Sequence, residues 1–266
     1  MKSGFKLAAT ALLCGAIAVP TYANHSWNNY HWAKPLAEVT VPIERNLSSE
    51  WLTHVDNAVR DWNVSTVIGV VPGTGSVNPK TCKPVGGRIE VCNSSYGRTG
   101  WLGIAQIWLS NGHISQAVTK LNDTYFNTAK YNTFDWRALV ICQEIGHDFG
   151  LGHQDEDFAN ADLPPGGGVQ TCMDYTNVPA GNGQPNDHDY EQLALIYSHP
   201  DSAAAAVASY GVSQAPGGDT PGEWGRAIHF TKDGRPDQFE QILGPGNRKI
   251  THVFWAIGEG PRGSKG

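Results

Sequence analysis

The sequence predicts an α+β protein: a mixed, twisted sheet with an edge hairpin, an active-site helix, a second helix toward the C-terminus, and a small terminal β meander. Three observations carry this. Apolar residues recur at helical spacing over 51–62 and again over 134–149. Two runs of strand-forming residues flank Asn111-Gly112, a strong hairpin signal. Beyond residue 224, the short alternating runs RAIHFT, QFEQIL and ITHVFWAI are separated by the turns KDGR and GPGNRK.

Taken in order, Lys2 and Lys6 precede an apolar run from Leu7 to Val19, and Thr21-Tyr22-Ala23 offers a small-x-small cleavage site. Residues 1–23 therefore read as a secretory signal, and the product is expected outside the cytoplasm, extracellular or periplasmic. No other stretch is apolar enough for a bilayer span. Losing two lysines with the signal takes the formal net charge from −6 to −8. Such a surface argues against nucleic acid and anionic membranes as partners.

Cys14 leaves with the signal, so Cys82, Cys92, Cys142 and Cys172 remain. An even number in an exported chain predicts two disulfides, with three possible pairings. The expected one is local in sequence, 82–92 and 142–172. The second bridge is worth ~3–4 kcal/mol through loop-closure entropy.

Residues 38–44 alternate as a strand that Pro42 confines to an edge. Ser48 caps a helix whose apolar face is Trp51, Val55, Ala58, Val59 and Trp62. Residues 64–71 read as an apolar strand buried on both faces, and 72–100 as a Gly-, Pro- and Ser-rich loop. His113, just past the hairpin turn, reads as a solvated strand residue. The helix over 134–149 ends at Gly150. A loop with Pro164-Pro165 leads to TCMDY at 171–175. Asn186 and Asp189 form a capping pair for the last helix, which makes His188 a surface residue. Residues 24–200 are expected to form the main domain, 201–223 a linker, and 224–266 a β-rich extension too small to be secure alone.

The chemistry concentrates in Cys142-Gln-Glu-Ile-Gly-His-Asp-Phe-Gly-Leu-Gly-His153. On a helix, Gln143 and His147 point the same way, about 6 Å apart along the axis. Glu144 lies between them in angle and can reach a water there. Gly150 lets the chain turn sharply and return His153 as a third donor. Three protein donors plus water is how catalytic zinc is held.

This pattern resembles the metzincin clan of zinc endopeptidases, whose motif H-E-x-x-H-x-x-G-x-x-H is followed by a methionine turn. Every functional position matches except the first, where Gln143 stands for histidine. The upstream layout is similar to the matrixin branch, and Met173-Asp174-Tyr175 resembles the M-x-Y of astacins and serralysins. The resemblance implies one catalytic zinc on Gln143, His147 and His153, with Glu144 as general base. It also implies Tyr175 at the oxyanion, Met173 as the floor beneath the metal, and a peptide substrate aligned on the edge hairpin. Latency through a pro-segment cysteine is not expected, because the stretch between Asn24 and the first strand has no cysteine and no room for a pro-domain. The amide oxygen of Gln143 is a weaker donor to zinc than imidazole. A catalytically inactive metzincin-like module that binds peptides or surfaces therefore stands as the alternative function. Nine tryptophans raise carbohydrate binding as a third, but Trp51 and Trp62 lie on a core face and the rest show no repeat.

Overall fold

The computed structural model describes residues 25–156, 170–202 and 217–261. The expected signal, the Pro164-Pro165 loop and most of the expected linker lie outside these residues. The described chain is α+β. Its strands are β1 (His31–Trp32), β2 (Val39–Asn46), β3 (Ile68–Thr74), β4 (Ile89–Ser94), β5 (Trp101–Ser110), β6 (His113–Asn122), β7 (Arg226–Phe230), β8 (Pro236–Gly244) and β9 (Asn247–Trp255). The helices are α1 (Ser49–Trp62), α2 (Asp123–Phe126), α3 (Phe134–Asp148), α4 (Asp187–Ile196) and the single turn α5 (Pro221–Trp224).

One sheet takes all nine strands, in the order β3-β2-β4-β6-β5-β9-β8-β7, with β1 pairing β6 off this path. Strands β2, β3, β4 and β6 run parallel, whereas β5, β7, β8 and β9 join antiparallel. The β5–β6 hairpin turns on Asn111 (φ 50°) and Gly112 (φ 88°), the two positive φ values that a type I′ turn demands.

The sheet departs from the sequence reading in four places. Pro42 does not mark an edge, because β2 lies between β3 and β4. The ladder to β4 begins only at Ile43, so the missing N–H of Pro42 costs that side nothing. Strand β3 is the outer strand; Ile68 and Val70 are buried, but Val71 is 53% exposed. The Gly- and Pro-rich stretch contains a buried strand, β4, whose IEVCNS gives no clean alternation. Finally, the β5–β6 hairpin is not at an edge. β9 pairs with β5 from Trp101↔Trp255 to Ser110↔Asn247, so the C-terminal meander continues the main sheet. The edge expected to align a substrate is already occupied by the chain's own C-terminal region.

The two faces of this sheet hold separate apolar layers. One packs beneath α1 and α3 and gathers Trp51, Val55, Trp62, Ile107, Val140, Ile145, Ile250 and Phe254. The other gathers Tyr96, Trp101, Ile104, Trp224, Phe239, Val253 and Trp255. Along β9, even-numbered residues therefore face the helices and odd-numbered ones the opposite layer, the period-2 rule of a strand. Both local disulfides are present, Cys82–Cys92 and Cys142–Cys172. Among the described residues, no helix is long and apolar enough to cross a membrane.

Candidate metal centre

α3 positions the chemistry. Thr133 caps it by accepting from the Trp136 N–H, and its residues from Leu139 to Asp148 are buried. Trp62 Nε1 donates to the Cys142 carbonyl at 3.2 Å, tying α3 to α1. Close approach also explains Gly146. A Cβ there would stand 2.5 Å from Met173 Sδ and 2.7 Å from Trp62, so only glycine lets the methionine turn seat under the helix. The chain leaves α3 at Gly150, with φ at +95°, where a Cβ would meet the Tyr30 carbonyl oxygen at 1.8 Å. That turn returns His153 toward His147; their ring centroids are 4.7 Å apart.

A third imidazole joins them from β9. His252 lies 3.9 Å from His147 and 4.8 Å from His153, centroid to centroid. Potential ligand atoms of all three histidines fall within 4.8 Å of one another. Each keeps a buried Nε2 with no hydrogen-bond partner. On the other side of two of these rings, Nδ1 has a partner. His147 Nδ1 meets the Leu151 carbonyl at 2.8 Å, and His252 Nδ1 meets Glu144 Oε2 at 3.1 Å. At His147 the carbonyl can only accept, so Nδ1 donates and Nε2 carries a bare lone pair, the arrangement of metal-ligating histidine.

Burial pushes the pKa of His147 and His153 well below the ordinary histidine value, and neighbouring imidazoles add to the effect. Burial likewise brings His252 down to about 3. All three are therefore neutral at physiological pH, the form that binds metal. Trp27 stacks on His147 with ring centroids 4.7 Å apart and planes 10° apart. Tyr175 lies over His153 at 3.9 Å.

Gln143, the first expected donor, is used differently. Its side-chain NH2 donates to the carbonyls of Cys172 at 2.7 Å and Asp174 at 2.9 Å. It thereby pins α3 to the methionine turn beside the Cys142–Cys172 bridge. Glu144 is fully buried, with desolvation raising its pKa well above the usual carboxylate range and the backbone amides of Phe254 and Ala105 pulling it down. Its Oε2 is committed to His252.

Another carboxylate stands where the cluster opens. A cavity of about 200 Å³ is lined by His153, His252, Trp27, Glu156, His229 and Asp237, among others. His229 bridges Glu156 (Nε2 to Oε2, 3.3 Å) and Asp237 (Nδ1 to Oδ1, 2.8 Å). The cavity is smaller than the ~300–1,000 Å³ of sites that swallow a whole ligand. It has room for a reacting group.

No family model matches this sequence, and no curated protein matches it. Among solved structures the chain is similar to high choriolytic enzyme 1, a hatching enzyme zinc-protease from Oryzias latipes (Medaka fish). The identity is 16% and the TM-score 0.35, over 64% of this chain and 95% of that one.

Of the three histidines that converge, the sequence pattern singles out His147 and His153 and passes over His252, because the expected third donor lay on the helix. The signal was present in ITHVFWAI: alternation puts His252 on the same face as Ile250 and Phe254, a polar residue on a core face.

Proposed function

We propose that this protein is a zinc-dependent hydrolase of peptide bonds whose metal is held by His147, His153 and His252. The observation that carries the reading is the convergence of three buried, neutral imidazoles with bare Nε2 atoms at a small opening to solvent. A tetrahedral ion with Zn–N bonds of 2.0–2.1 Å needs donors about 3.4 Å apart, a modest contraction of the cluster. Zinc held by these residues would supply a Lewis acid and lower the pKa of a bound water toward ~7.

The chain's own residues then divide the work. Glu144 orients His252 and sets its tautomer through the 3.1 Å hydrogen bond, a positioning role in place of the general-base role implied by the motif. Glu156, on the cavity wall beside His153 and His252, takes the proton from water. His229 and Asp237 hold that carboxylate in place. Tyr175, 3% exposed and packed on the His153 ring, donates to the developing oxyanion. Gln143 serves as the clamp between α3 and the methionine turn.

A second reading is a metal-binding protein that does not hydrolyse peptides. It is favoured by β9 lying along the β5 edge and by the commitment of Glu144 to His252. Cleavage of an unfolded protein by the purified chain, abolished by chelation and by Glu156→Gln with zinc retained, supports the hydrolase. Retention of zinc by His147 and His153 without cleavage of any unfolded substrate establishes the second reading instead.

A further inference from the structure

A second histidine cluster gathers where the chain leaves α4. Asp201, just past α4, is surrounded by three imidazoles. Its Oδ2 is 3.1 Å from His31 Nε2, and its Oδ1 is 3.2 Å from His113 Nε2 and 3.3 Å from His199 Nδ1. The rings of His113 and His199 each stand 5.0 Å from the ring of His31. His31, His199 and Asp201 alone place ligand atoms within 4.8 Å of one another.

The tautomer of His31 makes this arrangement informative. Its Nδ1 meets the Asn29 carbonyl at 2.7 Å, an acceptor, so Nδ1 carries the proton. In the neutral ring, Nε2 therefore faces a carboxylate oxygen with its lone pair. Two electron pairs aimed at each other across 3.1 Å repel, unless a cation lies between them or the ring takes a second proton. Asp201 divides its two oxygens among the rings, Oδ2 to His31 and Oδ1 to His113 and His199, all within 3.3 Å.

We propose that His31, His113, His199 and Asp201 form a second, structural zinc site. Three imidazoles and one carboxylate are donors enough to close a four-coordinate structural site; His31, His199 and Asp201 are already grouped within 4.8 Å, and His113 would be drawn in from beside Asp201 Oδ1. The ligands come from β1, from the first residue of β6 and from the chain after α4, so one ion staples three distant segments. Two backbone contacts already hold that junction: Lys34 N–H donates to Asp201 Oδ2 at 2.7 Å, and Asp201 N–H to the Lys34 carbonyl at 2.8 Å. The His199 side chain is about half exposed, which gives the ion a way in.

The test is zinc content after exhaustive dialysis, joined to thermal melting with and without added Zn2+. The wild-type chain is expected to hold two equivalents, His147→Ala/His153→Ala one, and His199→Ala one. Zinc should raise the Tm of His147→Ala/His153→Ala, and this response should vanish when Asp201→Asn is added. His199→Ala guards against a fold defect at the buried aspartate, since that side chain is the outermost of the four. A His147→Ala/His153→Ala variant that holds no zinc and melts identically with and without it overturns the proposal and leaves an ion-paired histidine cluster. A wild-type equivalent that survives those two substitutions but not His199→Ala supports this site while refuting the central one.

Discussion

His252→Ala is the perturbation that separates the geometry from the motif. Removing the imidazole takes away one of the three proposed donors at the central site and leaves Glu144, fully buried, without its partner. Changes one shell further out cost about 10–100-fold in metal affinity. Loss of a donor itself should therefore exceed ~100-fold, or about 2.8 kcal/mol at 1.4 kcal/mol per decade. By linkage, each decade of affinity removes about 1.4 kcal/mol of zinc-dependent stabilisation at a fixed free-metal concentration. At roughly 2–4 °C per kcal/mol for a domain of this size, the zinc-induced rise in Tm should shrink by about 6–11 °C. Gln143→Ala loses two hydrogen bonds to carbonyls of the methionine turn, so it should lower stability with and without metal while leaving zinc affinity within a few-fold. Competition against a chromophoric chelator, read on a His31→Ala background to silence the second cluster, measures both affinities. If Gln143→Ala released the metal and His252→Ala kept it, the ligand assignment would be wrong.

Four further outcomes follow from the same coordinates. Glu144→Ala should weaken zinc binding by ~10–100-fold, the range for loss of an orienting carboxylate, measured by the same competition. Gly150→Ala forces a side chain into positive φ and against the Tyr30 carbonyl; it should cost more than ~1 kcal/mol in urea unfolding and reduce zinc content together. Replacing Cys142 and Cys172 by alanine should cost ~3–4 kcal/mol in denaturant, with the larger functional loss at the metal centre because the bridge holds the methionine turn to α3. Asp174 supplies a pH test. Burial, with Asp155 and Asp189 nearby, raises its pKa from 3.8 to about 8. The folded state then holds a proton that the unfolded chain releases, so its contribution is full below pH 3.8 and is lost as pH rises through about 8. Asp174→Asn should flatten the decline in Tm between pH 5 and pH 8; an unchanged slope would assign that decline to other groups.

How much of this was legible depends on the range over which each signal acts. Helix periodicity, the Asn111-Gly112 turn, the Asn186–Asp189 cap and the meander are local patterns, and the structure has all four. Strand order is not local. Pro42 spoke correctly about conformation and wrongly about neighbours, because a strand's place in a sheet is decided by partners far away in sequence; the run expected as strand over 64–71 is strand only from Ile68, with 64–67 in the turn after α1. β4 was hidden by the turn-rich residues around it. The site divides the same way. His147 and His153 share a helix and its exit turn, so spacing alone brings them together. His252 is 99 residues beyond His153 and reaches the cluster only because β9 pairs with β5 in the register that sets it opposite Ala105. His113 was read as solvated on the strength of its turn, yet its imidazole faces Asp201 across the junction with α4.

In the proposed site, the exchange of a helical ligand for a strand ligand changes what metal binding is coupled to. In a motif confined to α3 and its exit turn, the donors are set once that helix has formed. Here the third donor arrives only when the terminal meander has added its strand along β5 and buried Ile250 and Phe254 beneath the helices. Metal affinity at that site would then contain the free energy of docking the meander, and metal binding would in turn hold the meander in place. The same coupling gives Gln143 a physical rationale. A second imidazole on α3 is no longer required for a three-nitrogen site. The position is freed for a side chain whose two N–H groups can bridge two carbonyls of the methionine turn, which a neutral imidazole with a single N–H cannot do.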